Sequence, residues 1–335
     1  MKTSKLAAAA MALIVPSTML MSGCSIGNFF TFFNYTYENA DMYTAGDREI
    51  ADKVRTINID YVSGNVKLKG TDDDKITINE TSNRDIGDEY KVHTWVDGDT
   101  LFVRYCKSIN KISFHNIEKE LEITIPGAQE LSDMTVHVSS GNIDFSGFTT
   151  ESFNAQSSSG NLKISCNASD IKIKASSGNV GLEQEGDSSS IDIKSSSGNI
   201  TVVQKGNIDN VKLNASSGKI YAALDKASKL DVHVSSGGIN VEANEITDLK
   251  SDASSGGNSF KLGAAPKTSD IHSSSGGVKV YIPEDSDITV KPHISSGDFN
   301  YDLPMSKNGK EYVNGNGTYE MVINVSSGDV DILKY

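Results

Sequence analysis

Residues 157–206 read SSSGNLKISCNASDIKIKASSGNVGLEQEGDSSSIDIKSSSGNITVVQKG and contain the signature Ser-Ser-Gly-Asn three times. A Ser-Gly pair of this kind recurs along the chain, and its glycines are Gly64, Gly141, Gly160, Gly178, Gly198, Gly218, Gly237, Gly256, Gly276, Gly297 and Gly328. From Gly141 to Gly297 the steps between them are 18 to 21 residues long. A fixed period of this length is typical of a repeat architecture in which each unit stacks on its neighbours.

The residues on either side of each Ser-Gly pair alternate between apolar and polar side chains, which is the pattern of a half-buried β-strand. Around Gly178, for example, Ile171 and Ile173 precede the pair and Val180 follows it. The parity of the apolar positions changes across Ser-Gly-Asn, so the chain must turn a corner there. Glycine suits such a corner because it tolerates a positive φ.

The first apolar residue after each corner should belong to one buried ladder. Its predicted members are Val66, Ile143, Leu162, Val180, Ile200, Ile220, Ile239, Val278, Phe299 and Val330. Asn258 takes this place after Gly256. There we expect either a bulge or a buried amide with hydrogen-bond partners.

Six residues before the corner glycines, the charge alternates in sign along successive repeats: Lys172, Asp192, Lys212, Asp231, Lys250, Asp270 and Lys291. In-register stacking places equivalent residues about 4.8 Å apart. Opposite charges attract weakly at that distance, whereas like charges repel. The alternation therefore favours coils that lie directly over one another in sequence order.

These patterns predict an all-β protein, a parallel β-solenoid (β-helix) of stacked coils of about 20 residues. Leucine-rich repeats share the period but need a leucine pattern that is absent, and propeller blades need about twice the period. Between Gly64 and Gly141 the strand-like segments are irregular, so we expect N-terminal cap coils there, with a hairpin at Asp97-Gly98. The long interval from Gly297 to Gly328 predicts a hairpin insertion.

The N-terminal residues 1–23 predict a bacterial lipoprotein signal peptide. Lys2 and Lys5 precede an apolar run, and Met21-Ser22-Gly23-Cys24 resembles a lipobox. The resemblance implies cleavage before Cys24 and a lipid on its sulfur; an ordinary secretory signal is the alternative. Residues 24–48 are predicted to be a lipidated tether and residues 49–335 the solenoid domain.

Aromatic residues crowd the predicted tether: Phe29, Phe30, Phe32, Phe33, Tyr35 and Tyr37. They either enter the membrane interface or cap the first coil. Removal of the signal would change the formal net charge from −13 to −15. Such a chain repels nucleic acid, so no nucleic-acid partner is expected.

Several segments together resemble a known bacterial family of adhesin-like domains, a β-strand-repeat group of unknown function. They are YTAGD at 43–47, the segment 57–64, DGDTL at 97–101, ITIP at 123–126 and the Ser-Ser-Gly-Asn repeats. The similarity covers about residues 43–335. It implies an extracytoplasmic β-solenoid with a role in adhesion or in the envelope-stress response, and it brings no catalytic residues.

The sequence carries no zinc-protease, nucleophile-elbow or phosphate-loop motif, and its outward acids alternate with lysines. We therefore expect a non-enzymatic, adhesin-like surface lipoprotein without a cofactor, anchored outside the cytoplasm to the bacterial cell membrane. Its partner would be a surface protein or a glycan. An envelope-stress sensor is the alternative, and a carbohydrate-active solenoid enzyme is a further one.

One column offers a candidate metal site. Four residues before the corners, successive repeats carry Lys194, Asn214, His233, Asp252, His272 and His293. If neighbours lie about 4.8 Å apart, the imidazoles of His272 and His293 could share one zinc ion with Asp252, and His233 would follow on. The alternative is a solvated row of polar side chains.

Overall fold

Residues 33–112 and 117–335 are described by a computed structural model, and they are almost entirely β-strand. The N-terminal part contains β1 (Phe33–Tyr35), β2 (Thr44–Ala45), β3 (Arg48–Ile50), β4 (Thr56–Ser63), β5 (Asn65–Thr71), β6 (Ile76–Ser82), β7 (His93–Asp97), β8 (Thr100–Arg104), β9 (Ile109–Ile112), β10 (Lys119–Pro126) and β11 (Glu130–Ser140). The only helical turn within these described ranges is the 3-10 segment Ala40–Met42.

The regular coils follow, with β12 (Ile143–Ser159), β13 (Leu162–Ser177), β14 (Val180–Gln184), β15 (Ser188–Ser197), β16 (Ile200–Ser217), β17 (Ile220–Ser236), β18 (Ile239–Ser255), β19 (Asn258–Leu262), β20 (Thr268–Ser275) and β21 (Val278–Ile282). The C-terminal part contains β22 (Ile288–Ser296), β23 (Phe299–Tyr301), β24 (Ser306–Asn308), β25 (Glu311–Asn314), β26 (Tyr319–Ser327) and β27 (Val330–Lys334).

All eleven Ser-Gly corners stack in one column, and the predicted parallel β-solenoid is confirmed. The corner glycines have φ between 107° and 142°, a region that L-residues with a Cβ avoid. The corners also approach one another closely, because a Cβ on Gly160 would lie 2.0 Å from the carbonyl oxygen of Gly141. Glycine is thus required twice over, by its own conformation and by the coil beneath it.

Each coil crosses two faces that meet at the corner column. We call the residues that lead up to a corner the pre-corner face and the residues that follow a corner the post-corner face. A long strand such as β16 contributes its first part to the post-corner face and its last part to the pre-corner face. On both faces the strands pair in parallel and in register; β16 and β17, for example, match Ile200 with Ile220 and Ser217 with Ser236. The inward side chains of the two faces form one continuous apolar core.

The coils do not stack in sequence order at the C-terminal end. On the pre-corner face β26 pairs with β20 on one side and with β22 on the other. On the post-corner face β27 likewise lies between β21 and β23. The closing coil, which contains Gly328, therefore inserts between the coils of Gly276 and Gly297. The expectation of strict sequence order is wrong here.

A ladder of asparagine side chains follows the corner. The Oδ1 of Asn142 accepts the backbone N–H of Asn161 at 2.8 Å, and the pattern repeats coil by coil up to Asn199, whose Oδ1 accepts the N–H of Lys219. In the next coil Lys219 takes the place of asparagine, and in the following coils glycine does so at Gly238, Gly257 and Gly277. The carboxamide ladder ends at that point.

The predicted inward ladder is confirmed, and Phe299 is the one member that is only half-buried because it sits in the terminal coil. Asn258 differs from both expectations. It is 1% exposed and stays in register between Ile239 and Val278, without a bulge. Its Nδ2 and Oδ1 have no hydrogen-bond partner among the described residues.

The N-terminal coils form a cap, as predicted. Strand β6 runs antiparallel to β10, and β7 and β8 form the expected hairpin at Asp97-Gly98. At the other end β24 and β25 form the expected hairpin insertion.

Part of the segment predicted to be a tether packs on this cap. Strand β1 pairs with β9, the Tyr35 hydroxyl donates to the carbonyl of Asp60 at 2.9 Å, and the Tyr37 hydroxyl donates to that of Cys106 at 2.9 Å. For Tyr35 and Tyr37 the structure favours capping over the membrane interface, and the packed chain begins well before residue 49. Cys24, Phe29, Phe30 and Phe32 lie outside the described residues.

Candidate contact surface

The outward side chains of the pre-corner face stand in parallel columns. The column chosen from the sequence is confirmed as far as His272, because Lys194, Asn214, His233, Asp252 and His272 are successive register partners. Beyond His272 the next partner is Asn324 of the closing coil, and His293 follows Asn324. The two histidines of the proposed zinc site are therefore not neighbours.

This insertion removes the geometric basis of the metal hypothesis. The Nε2 of His272 lies 2.8 Å from Oδ1 of Asp270, and the Nδ1 of His233 lies 3.7 Å from Oδ2 of Asp252. Within residues 33–112 and 117–335, no group of three or more His, Cys, Asp or Glu side chains is arranged to hold a metal ion. Side chains on a flat face remain parallel, whereas a tetrahedral ion requires convergent ligands.

The alternating charge column is also in register until the closing coil interrupts it. Lys172, Asp192, Lys212, Asp231, Lys250 and Asp270 are successive register partners. Val322 of the closing coil then separates Asp270 from Lys291. Lys291 instead pairs with Glu320 at 2.7 Å and with Glu311 at 3.5 Å.

The closing coil also shapes a shallow depression on the pre-corner face, with a volume of about 530 Å³. Its polar lining comes from three adjacent coils and from the hairpin of β24 and β25: His272, Ser273, Ser274, His293, Ser295, Lys310, Asn324 and Ser326. The Nδ2 of Asn324 lies 3.5 Å from Nε2 of His272. The lining contains a lysine, two imidazoles, an amide and serine hydroxyls, and no carboxylate.

The depression is chemically unlike the chain that carries it. The protein has a formal net charge of −13, yet this lining offers hydrogen-bond donors and a cation. Asp270 remains outside the lining and pairs with His272. Such a set of groups favours an anionic or hydroxyl-rich ligand over a cation.

Lys310 and Asn324 could not be placed in this site from the sequence. If the coils stacked in sequence order, His293 would lie beside His272 and the closing coil would be the last coil of the column. The available signal was the long interval between Gly297 and Gly328, which gives the chain enough length to return between two earlier coils.

Near the N-terminal cap, the pre-corner face carries a histidine, His137, with a shifted pKa. The Nδ1 of His137 lies 2.9 Å from Oδ1 of Asp60, its register partner on β4. The hydrogen bond that Oδ1 of Asp60 accepts raises the pKa of His137 above the ordinary histidine value, and burial opposes the shift only in part.

The sequence profile of the Toastrack DUF4097 family matches residues 54–169 and again residues 167–333. The chain belongs to the Toastrack DUF4097 family. The two matches meet within the regular coils, so the cap and the depression lie in different matched segments. In the described part of this Toastrack chain, no helix is long and apolar enough to cross a membrane.

Solved structures resemble this Toastrack chain at low identity. A candidate cell adhesion protein from Clostridium sporogenes is 12% identical with a TM-score of 0.23, and the match covers 87% of this chain and 100% of the other. A candidate adhesin from Parabacteroides merdae is 12% identical with a TM-score of 0.32 and 87% and 95% coverage. One from Bacteroides fragilis is 11% identical with a TM-score of 0.24 and 87% and 96% coverage. No curated protein matches the chain.

Proposed function

We propose that this Toastrack protein is a non-enzymatic, adhesin-like surface lipoprotein whose depression contacts an anionic partner, a surface glycan or a surface protein. The observation that carries the proposal is the lining of the depression. In a strongly acidic chain, a lysine, two histidines, an amide and three exposed serine hydroxyls meet without a carboxylate among them. Charge-assisted hydrogen bonds from such groups select acidic ligands.

The stacked coils support a role in contact because they form a long, hydrogen-bonded scaffold. Ten spacings of about 4.8 Å separate the eleven corners, so the column is about 50 Å long. The depression occupies the last coils of that column. A ligand there would be met by side chains that the strands hold in fixed register.

The proposed anchor lies at the opposite end. Eight residues separate Cys24 from Phe33, the first described residue of the packed cap. Even a fully extended spacer of that length reaches only about 30 Å. With lipid on Cys24, the cap would face the bacterial cell membrane from outside the cytoplasm, and the depression would lie far from it.

The test measures attachment of cells that display the full chain to surfaces coated with a uronic-acid polysaccharide or with a neutral one. The double variant Lys310→Ala and His293→Ala should lose at least about tenfold in attachment to the acidic surface, because each charged hydrogen bond contributes about 1.5–3 kcal/mol. Lys163→Ala removes an exposed cation from the post-corner face and serves as the matched control. Equal attachment by the double variant and the control would refute the proposal.

The alternatives give different results in the same cells. An envelope-stress sensor would show no specific attachment and would change the stress response when Lys310 and His293 are replaced. A carbohydrate-active enzyme would shorten the acidic polysaccharide over time. The anchor is tested separately with Cys24→Ser, which should move the protein from the membrane fraction to the soluble fraction.

A further inference from the structure

A buried ion pair lies in the N-terminal cap, far from the depression. Lys119 begins β10, Glu80 lies on the adjacent antiparallel strand β6, and Nζ is 2.7 Å from Oε1. The two side chains are 0% and 3% exposed. Taking both charges out of water is costly, so a pair this deeply buried needs further partners.

Glu80 has a different hydrogen-bond donor on each carboxylate oxygen. The hydroxyl of Tyr61 donates to Oε1 at 2.7 Å, and the backbone N–H of Val92 donates to Oε2 at 2.8 Å. Burial raises the pKa of Tyr61, and the neighbouring Glu80 carboxylate adds to the rise. Tyr61 therefore remains protonated and stays a donor.

Lys119 is held on its other sides by carbonyls and aromatic rings. Its Nζ donates to the carbonyls of Tyr90 at 2.6 Å and Tyr105 at 2.5 Å. The ring centroids of Tyr105 and Tyr61 lie 4.0 Å and 5.4 Å from Nζ. Desolvation lowers the pKa of Lys119, although Glu80 opposes the shift. Burial thus favours the neutral amine, which is the nucleophilic form of lysine.

We propose that Lys119 and Glu80 condense to an intramolecular isopeptide bond. The groups needed for amide formation are all in place. Nζ is the nucleophile and Cδ of Glu80 is the electrophile. Tyr61 holds Oε1, the oxygen that leaves, and the N–H of Val92 stabilises the negative charge that develops on Oε2.

The reaction balances without any other reactant. A proton passes from the ammonium of Lys119 to Oε1, and the neutral amine then attacks Cδ. The nitrogen gives a second proton to the same Oε1, the bond between Cδ and Oε1 breaks, and Oε1 departs as water. One C–N bond has formed, one C–O bond has broken, and the positive and negative charges have cancelled.

Two physical effects drive the condensation. Groups held in contact react with effective concentrations far above those of free reactants, about 10⁵–10⁸ M for well-oriented pairs. The amide is also neutral, so the desolvation cost of two buried charges disappears. The amide nitrogen keeps one hydrogen, which can still donate to the carbonyl of Tyr90 or Tyr105.

The bond would close a covalent ring from residue 80 to residue 119. That ring contains β7, β8 and β9; β1 pairs with β9, and the Tyr37 hydroxyl bonds the carbonyl of Cys106 between β8 and β9. It would therefore hold together the end of the solenoid to which the N-terminal segment attaches. The inference is independent of the contact function proposed for the depression.

The experiment is the intact mass of the purified full chain, followed by protease mapping. The expected mass is one water molecule below the sequence mass of the same chain, and the digest should contain a branched peptide joining β6 to β10. The exposed pair of Lys75 and Glu49, at 2.9 Å, is the matched control and should remain in linear peptides. A branched peptide at the control in equal amount would overturn the argument from burial.

Variants test the individual roles. Lys119→Met should retain the full sequence mass. Tyr61→Phe should slow formation of the branched peptide by about 10²-fold or more, because it removes the donor to the leaving oxygen. The wild-type chain alone decides the proposal: a full sequence mass after long incubation of the folded protein, with Lys119 and Glu80 in linear peptides, would overturn it.

Discussion

Replacing Asn258 with valine should stabilise the protein, although asparagine is the native residue. Asn258 occupies the inward ladder between Ile239 and Val278, and it is 1% exposed. Its amide nitrogen and oxygen have no partner in the described part of the chain. Valine is the residue at the equivalent position of the next coil, so its shape fits this ladder.

The size of the expected stabilisation follows from the unpaired side-chain amide of Asn258. Burying a polar group without a partner costs about 1–3 kcal/mol, and Asn258→Val removes that cost. The free energy of unfolding should rise by about this amount, and the melting temperature by about 2–4 °C for each kcal/mol. Chemical denaturation should show a higher midpoint with an unchanged m-value, because the surface exposed on unfolding is the same.

Asn314→Val is the matched control. Asn314 is buried to a similar degree, at 3% exposure, but its Nδ2 donates to the carbonyls of Glu284 at 2.8 Å and Ser286 at 2.7 Å. Losing both bonds should lower the free energy of unfolding by about 1–3 kcal/mol. The reasoning would be refuted if Asn258→Val destabilised the protein, or if both variants changed stability in the same direction.

Three further predictions concern the corner, the charge column and pH. Gly257→Asn should add one separate link of the same kind, in which its Oδ1 accepts the N–H of Gly277, and stabilise by about 0.5–1.5 kcal/mol, since nothing lies within 4 Å of a Cβ there. Gly238→Asn, whose Cβ would meet a carbonyl at 2.9 Å, should give no gain in the same melting experiment. Asp231→Lys places three lysines in register and should lower the free energy of unfolding by about 0.5–1 kcal/mol at low salt and by less at high salt. A change that does not depend on salt would contradict an electrostatic role of the charge column. NMR titration should show a raised pKa for His137, which Asp60→Asn abolishes. The stabilisation from the pair of His137 and Asp60 is fully present below the ordinary histidine pKa, and it is lost as the pH rises through the raised pKa of His137. A contribution of this pair to the free energy of unfolding that falls on acidification would contradict the prediction.

The repeat could be predicted from the sequence because its physical causes are local. The alternation around Ile171 and Ile173 determines which side of the strand is buried, and the change of parity at Gly178 requires a corner. Equal spacing then implies stacking, because each coil can bury its apolar side only against its neighbours. The column and the inward ladder followed from these rules, whereas the two hairpins followed from the Asp97-Gly98 turn and from the long interval between Gly297 and Gly328.

The remaining features depend on contacts between distant segments. The return of the closing coil places Asn324 beside His272, and no local pattern specifies that partner. Lys119 and Glu80 are also far apart in sequence, and their joint burial appears only when β6 and β10 pair. Asn258 was noticed from the sequence, but the lack of partners for its amide is a property of the packed core.

The order of the last three coils is tested most directly by paired cysteines on the pre-corner face. In the structure Ser274 and Ser326 lie in adjacent coils, about 4.8 Å apart, while Ser274 and Ser295 are two coils apart. A disulfide needs a Cα separation of about 4.4–6.8 Å, and the native Cys106 and Cys166 are both buried. Under mild oxidation, Ser274→Cys with Ser326→Cys should form the disulfide and Ser274→Cys with Ser295→Cys should not. The opposite result would mean that the coils stack in sequence order, and it would remove both the depression and the contact function built on it.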